Sequence, residues 1–205
     1  MRLLVLIFGT VLLPQAYPLK CYQCVPGSSG TCTDTETQCH ASFYQCGAWR
    51  TVTYSGGIEF SHVQVKGCIL PGECTESSLN YGLSRSVLTT KCCPYELCNT
   101  EPAPEPSTSN PNGKMCYYCD GKDCSGTVNC LGNEDHCISV NVISDGEEKI
   151  FKGCASKLLC ADPQDRSVTQ EEISCCQGDF CNSASSTSAG LLLLVAPLIS
   201  LVMFS

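Results

Sequence analysis

Histidine and tryptophan are scarce in this sequence, and their scarcity narrows the chemistry that the chain can perform. Its 205 residues include three histidines, His40, His62 and His136, and a single tryptophan, Trp49. Neither a Gly-x-Ser-x-Gly motif nor a glycine-rich phosphate loop occurs, so the nucleophile and phosphate sites that these motifs build are not indicated. We therefore predict that the protein is not an enzyme and that it has no catalytic residue, cofactor or metal ion.

Basic residues are also fewer than acidic residues. The chain has 12 Lys and Arg against 20 Asp and Glu, which gives a net charge of −8. The imbalance lies in the second half, because residues 19–99 carry five basic and six acidic residues whereas residues 116–182 carry five basic and twelve acidic. A negative surface repels nucleic acid and anionic lipid, so neither is expected as a partner.

No apolar run reaches the length of about 20 residues that a membrane-spanning helix needs. The first run, residues 3–13, follows the positive charge of Arg2 and precedes the small residue Ala16. A charged start, a short apolar core and a small residue before the cut are the parts of a secretory signal. We expect residues 1–16 to be a signal peptide.

The second apolar run, residues 191–205, has no Lys or Arg after it and follows the small and polar residues 182–190. This order is typical of glycosylphosphatidylinositol (GPI) attachment. We expect the anchor at Asn182 or Ser183 in the outer leaflet, with residues 183–205 removed as a propeptide. The alternative is a short tail that spans the membrane. Because a lipid-anchored chain has no cytoplasmic residues, signalling would need a transmembrane co-receptor.

Cysteine, by contrast, is abundant, with 20 residues. Such a content in a short chain predicts a disulfide scaffold, which persists in the extracellular space. The cysteines form two groups of ten, and each group opens with Cys-Tyr-x-Cys, carries Lys-Gly-Cys at its sixth cysteine and closes with Cys-Cys-x4-Cys-Asn. The repeat predicts two copies of one domain, at residues 19–99 and 115–182.

The stretch between the copies, residues 100–114, is rich in Pro, Ser, Thr and Asn and is predicted to be an exposed linker. The chain lacks the Asn-x-Ser/Thr sequon, so any sugar is expected to be O-linked in this linker. The Cys-x2-Cys pairs would suit zinc in another setting, but the even cysteine count and the signal peptide favour structural disulfides. Spacing alone leaves their pairing open.

Each domain is predicted to be all-β. Residues 46–54 and 58–66 hold β-branched and aromatic residues on either side of a Ser-Gly-Gly turn. Residues 138–143 and 149–152 flank an Asp-Gly dipeptide, a strong short-range signal for a β-hairpin. No stretch shows convincing helical periodicity.

The repeated motifs resemble the lymphocyte antigen 6/urokinase receptor family. In the first copy they read Cys21-Tyr22-Gln23-Cys24, Lys66-Gly67-Cys68 and Cys92-Cys93-x4-Cys98-Asn99, and residues 78–85 resemble the gamma-type phospholipase inhibitors of that family. The resemblance implies a small all-β, disulfide-rich fold with two tandem three-finger domains, similar to snake toxins, and five disulfides in each domain. It also implies that Asn99 and Asn182 tie the last strand of each domain into the knot by hydrogen bonds. The implied disulfides are Cys21–Cys46, Cys24–Cys32, Cys39–Cys68, Cys74–Cys92, Cys93–Cys98, Cys116–Cys137, Cys119–Cys124, Cys130–Cys154, Cys160–Cys175 and Cys176–Cys181.

The middle finger of the first domain is the predicted recognition surface, around Trp49, Tyr54 and Phe60. Interfaces are enriched in such aromatic residues, and a small disulfide domain cannot bury all of them. A purely structural role for Trp49 is the alternative. We expect a GPI-anchored binding or adhesion receptor on the cell surface that recognises an extracellular protein. The competing hypothesis is an inhibitor of a secreted enzyme, such as a phospholipase, that is secreted or shed from its anchor.

Overall fold

The computed structural model describes residues 18–27, 30–40, 45–107, 109–144, 146–160 and 171–183. The predicted signal peptide, residues 1–16, and the predicted propeptide beyond Ser183 lie outside the described residues. Among the described residues, no helix is long and apolar enough to cross a membrane.

The described secondary structure is almost entirely β. A 3₁₀ turn at Pro71–Glu73 and a single-turn helix, α1 (Lys157–Cys160), are the exceptions within the described ranges. In chain order the strands are β1 (Lys20–Gln23), β2 (Thr35–Gln38), β3 (Gln45–Ser55), β4 (Ile58–Ile69), β5 (Ser77–Asn80), β6 (Ser84–Cys93), β7 (Pro111–Asp120), β8 (Gly126–Leu131), β9 (His136–Ser144), β10 (Glu147–Ala155) and β11 (Glu171–Cys176).

The chain divides into two compact units whose limits differ from those of the repeats. The first unit contains residues up to 54, residues 58–76 and residues 86–107. The second contains the second repeat together with two short segments of the first repeat, residues 55–57 and 77–85. Each unit holds five disulfides.

In the first unit, β1 pairs with β2, and β3 lies between β6 and β4. The turn between β3 and β4, whose residues 55–57 belong to the second unit, contains Gly56 and Gly57 at φ of +58° and +83°. Two successive positive φ values suit a tight hairpin turn and are accessible to glycine without steric cost. The disulfide knot of the first unit is centred on three buried cysteines, Cys21, Cys39 and Cys46.

Residues 100–107, part of the predicted exposed linker, belong to the first unit and pack against its other residues. The methyl of Ala103 is buried, and the Thr89 hydroxyl donates a hydrogen bond to the Pro104 carbonyl over 2.6 Å. Glu105 forms an ion pair with Arg50. A proline-rich segment can make such contacts because its extended backbone leaves every carbonyl free to accept a hydrogen bond. The polar composition of residues 100–107 did not predict these contacts.

In the second unit the strand order is β8-β7-β10-β9-β11, and β5 also pairs with β10. The pairing of β5 places Asn80 opposite Cys154 and Leu79 opposite Ala155. Gly153 is required beside this pairing, because a Cβ there would lie 2.0 Å from the Asn80 carbonyl oxygen. Behind the strands lies an apolar cluster that includes Ile138, Val140, Ala155, Leu79, Tyr81, Phe151 and Ile173.

Candidate binding surfaces

The disulfides of the structure join the same pairs that the family resemblance implies. In the first unit they are Cys21–Cys46, Cys24–Cys32, Cys39–Cys68, Cys74–Cys92 and Cys93–Cys98. In the second unit they are Cys116–Cys137, Cys119–Cys124, Cys130–Cys154, Cys160–Cys175 and Cys176–Cys181. Among the described residues, the cysteine triplets close enough to hold a metal all belong to these bonds, so they offer no thiolate ligand.

The terminal asparagines of the two repeats occupy equivalent positions in their knots. Asn99 accepts a hydrogen bond from Tyr22 N at 3.0 Å and donates to the carbonyls of Tyr22 and Gly47. Asn182 accepts from Tyr117 N at 3.0 Å and donates to the carbonyls of Tyr117 and Ile138. Both side chains are buried, so each amide satisfies backbone groups that would otherwise lack a partner.

Trp49 lies half-buried on β3, where its ring contacts Gly67 of the Lys-Gly-Cys motif. A Cβ on Gly67 would lie 3.4 Å from Trp49 Cη2, which is ordinary van der Waals contact. Beside the ring is a groove of about 320 Å³, which we call the Trp49 groove; its walls include His62, Gln64 and Lys66. The Lys66 ammonium already has partners, the Asp34 carboxylate at 2.7 Å and a backbone carbonyl.

The three aromatic residues predicted to bind a ligand do not form one patch. Trp49 lines the Trp49 groove, and neither Tyr54 nor Phe60 does. Trp49 and Tyr54 are five positions apart on β3, so their side chains leave opposite faces of the strand. Phe60, on β4, is 78% exposed, and Ile58, on the same face of the strand, is 76% exposed; Val63, on the other face, is 47% exposed. The apolar surface of this finger therefore lies on β4.

The second unit contains a second groove, which the sequence did not predict. It encloses about 390 Å³ and is lined by Tyr81, Leu83, Asp120, Val140, Val142 and Phe151; we call it the Phe151 groove. The alternation of Val140 and Val142 on β9 indicated one wall. The wall made by Tyr81 and Leu83 comes from the first repeat, more than fifty positions away, and no local pattern identifies it.

Asp120 at the edge of the Phe151 groove is held ionised by its own turn. Its Oδ1 atom accepts hydrogen bonds from the backbone N–H groups of Asp123 and Lys122, both at 3.0 Å. These bonds favour the carboxylate form and lower the pKa of Asp120. The pKa of Asp123 is lowered as well, by hydrogen bonds from the hydroxyl and the backbone N–H of Ser125.

Glu134 is a fully buried carboxylate with four hydrogen-bond donors. It accepts from the Ser78 hydroxyl at 2.6 Å, Asn80 Nδ2 at 3.1 Å and Arg85 Nε at 2.8 Å. The backbone N–H of Leu131 is the fourth donor, at 2.8 Å. A buried charge needs such pairing to be tolerated. The cluster therefore fixes residues 77–85 inside the second unit, a structural role that the sequence did not reveal.

Two family models match the chain in succession. The u-PAR/Ly-6 domain model matches residues 18–101, and the snake toxin and toxin-like protein model matches residues 115–182. Together with the two sets of five disulfides, they confirm the predicted fold class of two tandem three-finger domains. The chain belongs to the u-PAR/Ly-6 family.

Curated relatives include receptors and inhibitors. The mouse urokinase plasminogen activator surface receptor is 32% identical over 110 residues, which cover 45% of this chain and 32% of the receptor. The chain thus spans about a third of that relative's length. The phospholipase A2 inhibitor NAI of Notechis ater is 30% identical over 169 residues, which cover 75% of this chain and 82% of the inhibitor. A gamma-type phospholipase A2 inhibitor of Elaphe climacophora is 37% identical over 78 residues, which cover 34% of this chain and 39% of the inhibitor.

Proposed function

We propose that this protein is a GPI-anchored cell-surface receptor that recognises an extracellular protein through the β3–β4 finger of its first unit. The observation that carries the proposal is the apolar surface of β4, where Ile58 and Phe60 lie on one face of the strand and are both largely in solvent. Exposed aromatic and aliphatic side chains of this kind are typical of the centre of a protein–protein interface.

The Trp49 groove supports the same finger as the recognition surface. It offers a concave, partly apolar site on the first unit, and Lys66 is held at its wall by the Asp34 carboxylate. The contact between the Trp49 ring and Gly67 also gives Trp49 a structural role. Phe60 is therefore the better residue with which to test binding, since its removal disturbs no buried contact.

The small and polar residues 182–190, followed by the apolar residues 191–205, support the GPI anchor. Of the two candidate attachment residues, Asn182 is 6% exposed and its side chain is hydrogen-bonded inside the knot, whereas Ser183 is exposed. The transfer reaction has to reach the backbone carbonyl of the attachment residue, so the exposed position favours Ser183. The serine-rich residues beyond it would leave with the propeptide.

An inhibitor of a secreted enzyme is the second candidate function. It is favoured by the phospholipase A2 inhibitor NAI, which aligns with this chain over 82% of its own length. The two functions differ in where the protein acts, because a receptor works on the cell surface and a secreted or shed inhibitor works in solution.

The recognition surface is tested by applying the chain from residue 17 to residue 183, in labelled form, to a panel of cells and secreted proteins. The Phe60→Ser variant is expected to weaken the strongest binding about tenfold or more, since truncating a buried aromatic anchor costs over 1 kcal/mol. The matched control is Tyr95→Ser, which removes an aromatic ring that is 73% exposed at another position of the same unit. Equal binding by both variants would remove the β4 surface from the proposal.

A further inference from the structure

We propose that the Phe151 groove is a second binding surface, which takes an extended, basic segment of an extracellular partner with an apolar residue at its centre. This groove is lined by residues of the second unit and shares no lining residue with Trp49, Ile58 or Phe60, on which the proposed recognition surface rests. The groove, the strand edge beside it and the charges around both support this choice of occupant.

The lining of the groove is largely apolar. Val140 on β9 lies directly opposite Phe151 on β10, and Val142 lies on the same face of β9 two residues further on. The Tyr81 and Phe151 rings pack with their centroids 5.8 Å apart. Leu83, 60% exposed, projects beside them. An apolar side chain entering here would cover surface that the described part of the chain leaves in water.

The edge of β10 next to the groove has free backbone groups. β7 pairs with β10 only at Phe151 and Lys152, so its last residue, Asp120, lies opposite Phe151. Within the described residues, no strand other than β9 pairs with β10 over residues 147–150. An open edge of this kind accepts an extended peptide by backbone hydrogen bonding, with side-chain pockets supplying specificity. The occupant is therefore expected to be extended.

The charges around the groove select a basic occupant. The Asp120 carboxylate lines the groove and keeps its charge through the hydrogen bonds of its turn. The free edge of β10 carries Glu147 and Glu148 against a single base, Lys149. Residues directly opposite each other share a face of the sheet, so Lys149 lies on the groove face with Val142, and Glu147 lies there too. Glu148 lies on the other face, so the groove face carries two acidic residues, Asp120 and Glu147, against Lys149. Lys or Arg on either side of the apolar residue would complement this pattern.

In the test, three short peptides are titrated into the protein of residues 17–183, and the titration is followed by NMR. This protein includes every residue that the structure describes. The peptides are acetylated and amidated Lys-Val-Leu-Val-Lys, Glu-Val-Leu-Val-Glu and Ser-Val-Leu-Val-Ser. The basic peptide is expected to shift the methyl signals of Val140 and Val142 and to bind at least fivefold more tightly than the acidic one. The difference is expected to shrink as salt is added, since these charges are exposed.

A pair of substitutions separates the charge from the shape of the groove. Asp120→Asn keeps an oxygen that accepts the hydrogen bonds of the turn but removes the charge. It is expected to weaken binding of the basic peptide about two- to fivefold. Asp123→Asn makes the same change in a neighbouring turn outside the groove and is expected to have little effect. Equal affinity for all three peptides would assign the groove to an uncharged apolar ligand and overturn the proposal. Absence of shifts at Val140 and Val142, or equal effects of the two substitutions, would overturn it as well.

Discussion

Arg85 and Glu134 lie 49 positions apart, in different repeats, and Arg85 Nε donates a hydrogen bond of 2.8 Å to Glu134 Oε1 inside the second unit. Ser78 and Asn80 bind the same carboxylate. The second unit is consequently completed by residues of the first repeat, and the boundary between repeats is not the boundary between the two compact units.

Glu134→Ala is predicted to lower the free energy of unfolding of the second unit by about 3–5 kcal/mol, because it leaves the Arg85 charge and several buried donors without their acceptor. Urea unfolding with the disulfides intact measures this change. Glu101→Ala is the control, since Glu101 pairs with Lys91 on the exposed surface and its loss is expected to change little. Similar midpoints for the two variants would show that the Glu134 cluster does not stabilise the fold.

A fragment that begins within the predicted linker, residues 109–183, is predicted to fold less well than the whole chain. It lacks β5, so β10 loses one of its two partners at Cys154 and Ala155, and Glu134 loses three of its four donors. Binding of a hydrophobic dye and the dispersion of amide NMR signals report the defect. A native-like spectrum from this fragment would contradict the assignment of residues 77–85 to the second unit.

The two Lys-Gly-Cys motifs are predicted to respond differently to the same substitution. Gly153→Ala places a methyl group 2.0 Å from the Asn80 carbonyl oxygen and is expected to destabilise the second unit by about 1–3 kcal/mol. Gly67→Ala meets the Trp49 ring at 3.4 Å, an ordinary contact, and is expected to cost less. Thermal unfolding of the two variants makes the comparison, and a larger loss at Gly67 would contradict the close approach of β5 to Gly153.

Asn99 is predicted to stabilise its knot through both ends of its amide. Asn99→Ala leaves three backbone groups, one of them in a fully buried hydrogen bond, without their Asn99 partner and is expected to cost about 2–4 kcal/mol. Asn99→Asp keeps an acceptor for Tyr22 N but loses the donors to the Tyr22 and Gly47 carbonyls, so it separates the two contributions. Full stability of both variants, measured by denaturant unfolding, would show that the side chain does not hold the knot together.

The predictable parts of this structure are those with a local or covalent signature. Cysteine spacing with the family motifs indicated the two knots, and glycine turns between β-branched runs indicated the β3–β4 and β9–β10 hairpins. Glu134 was one acidic residue among many, because its partners Ser78, Asn80 and Arg85 lie in another part of the chain. The separation of Trp49 from Tyr54, by contrast, follows from the sequence, because residues five positions apart on one strand leave opposite faces.

The most direct test of the proposed function is release of the full-length, epitope-tagged protein from intact cells by phosphatidylinositol-specific phospholipase C. The account predicts that the enzyme moves the protein from the cell surface into the medium, and that a variant with a membrane-spanning helix in place of residues 184–205 stays on the cell. Protein that is already in the medium before treatment, or that remains on the cell after treatment, would contradict a lipid-anchored receptor.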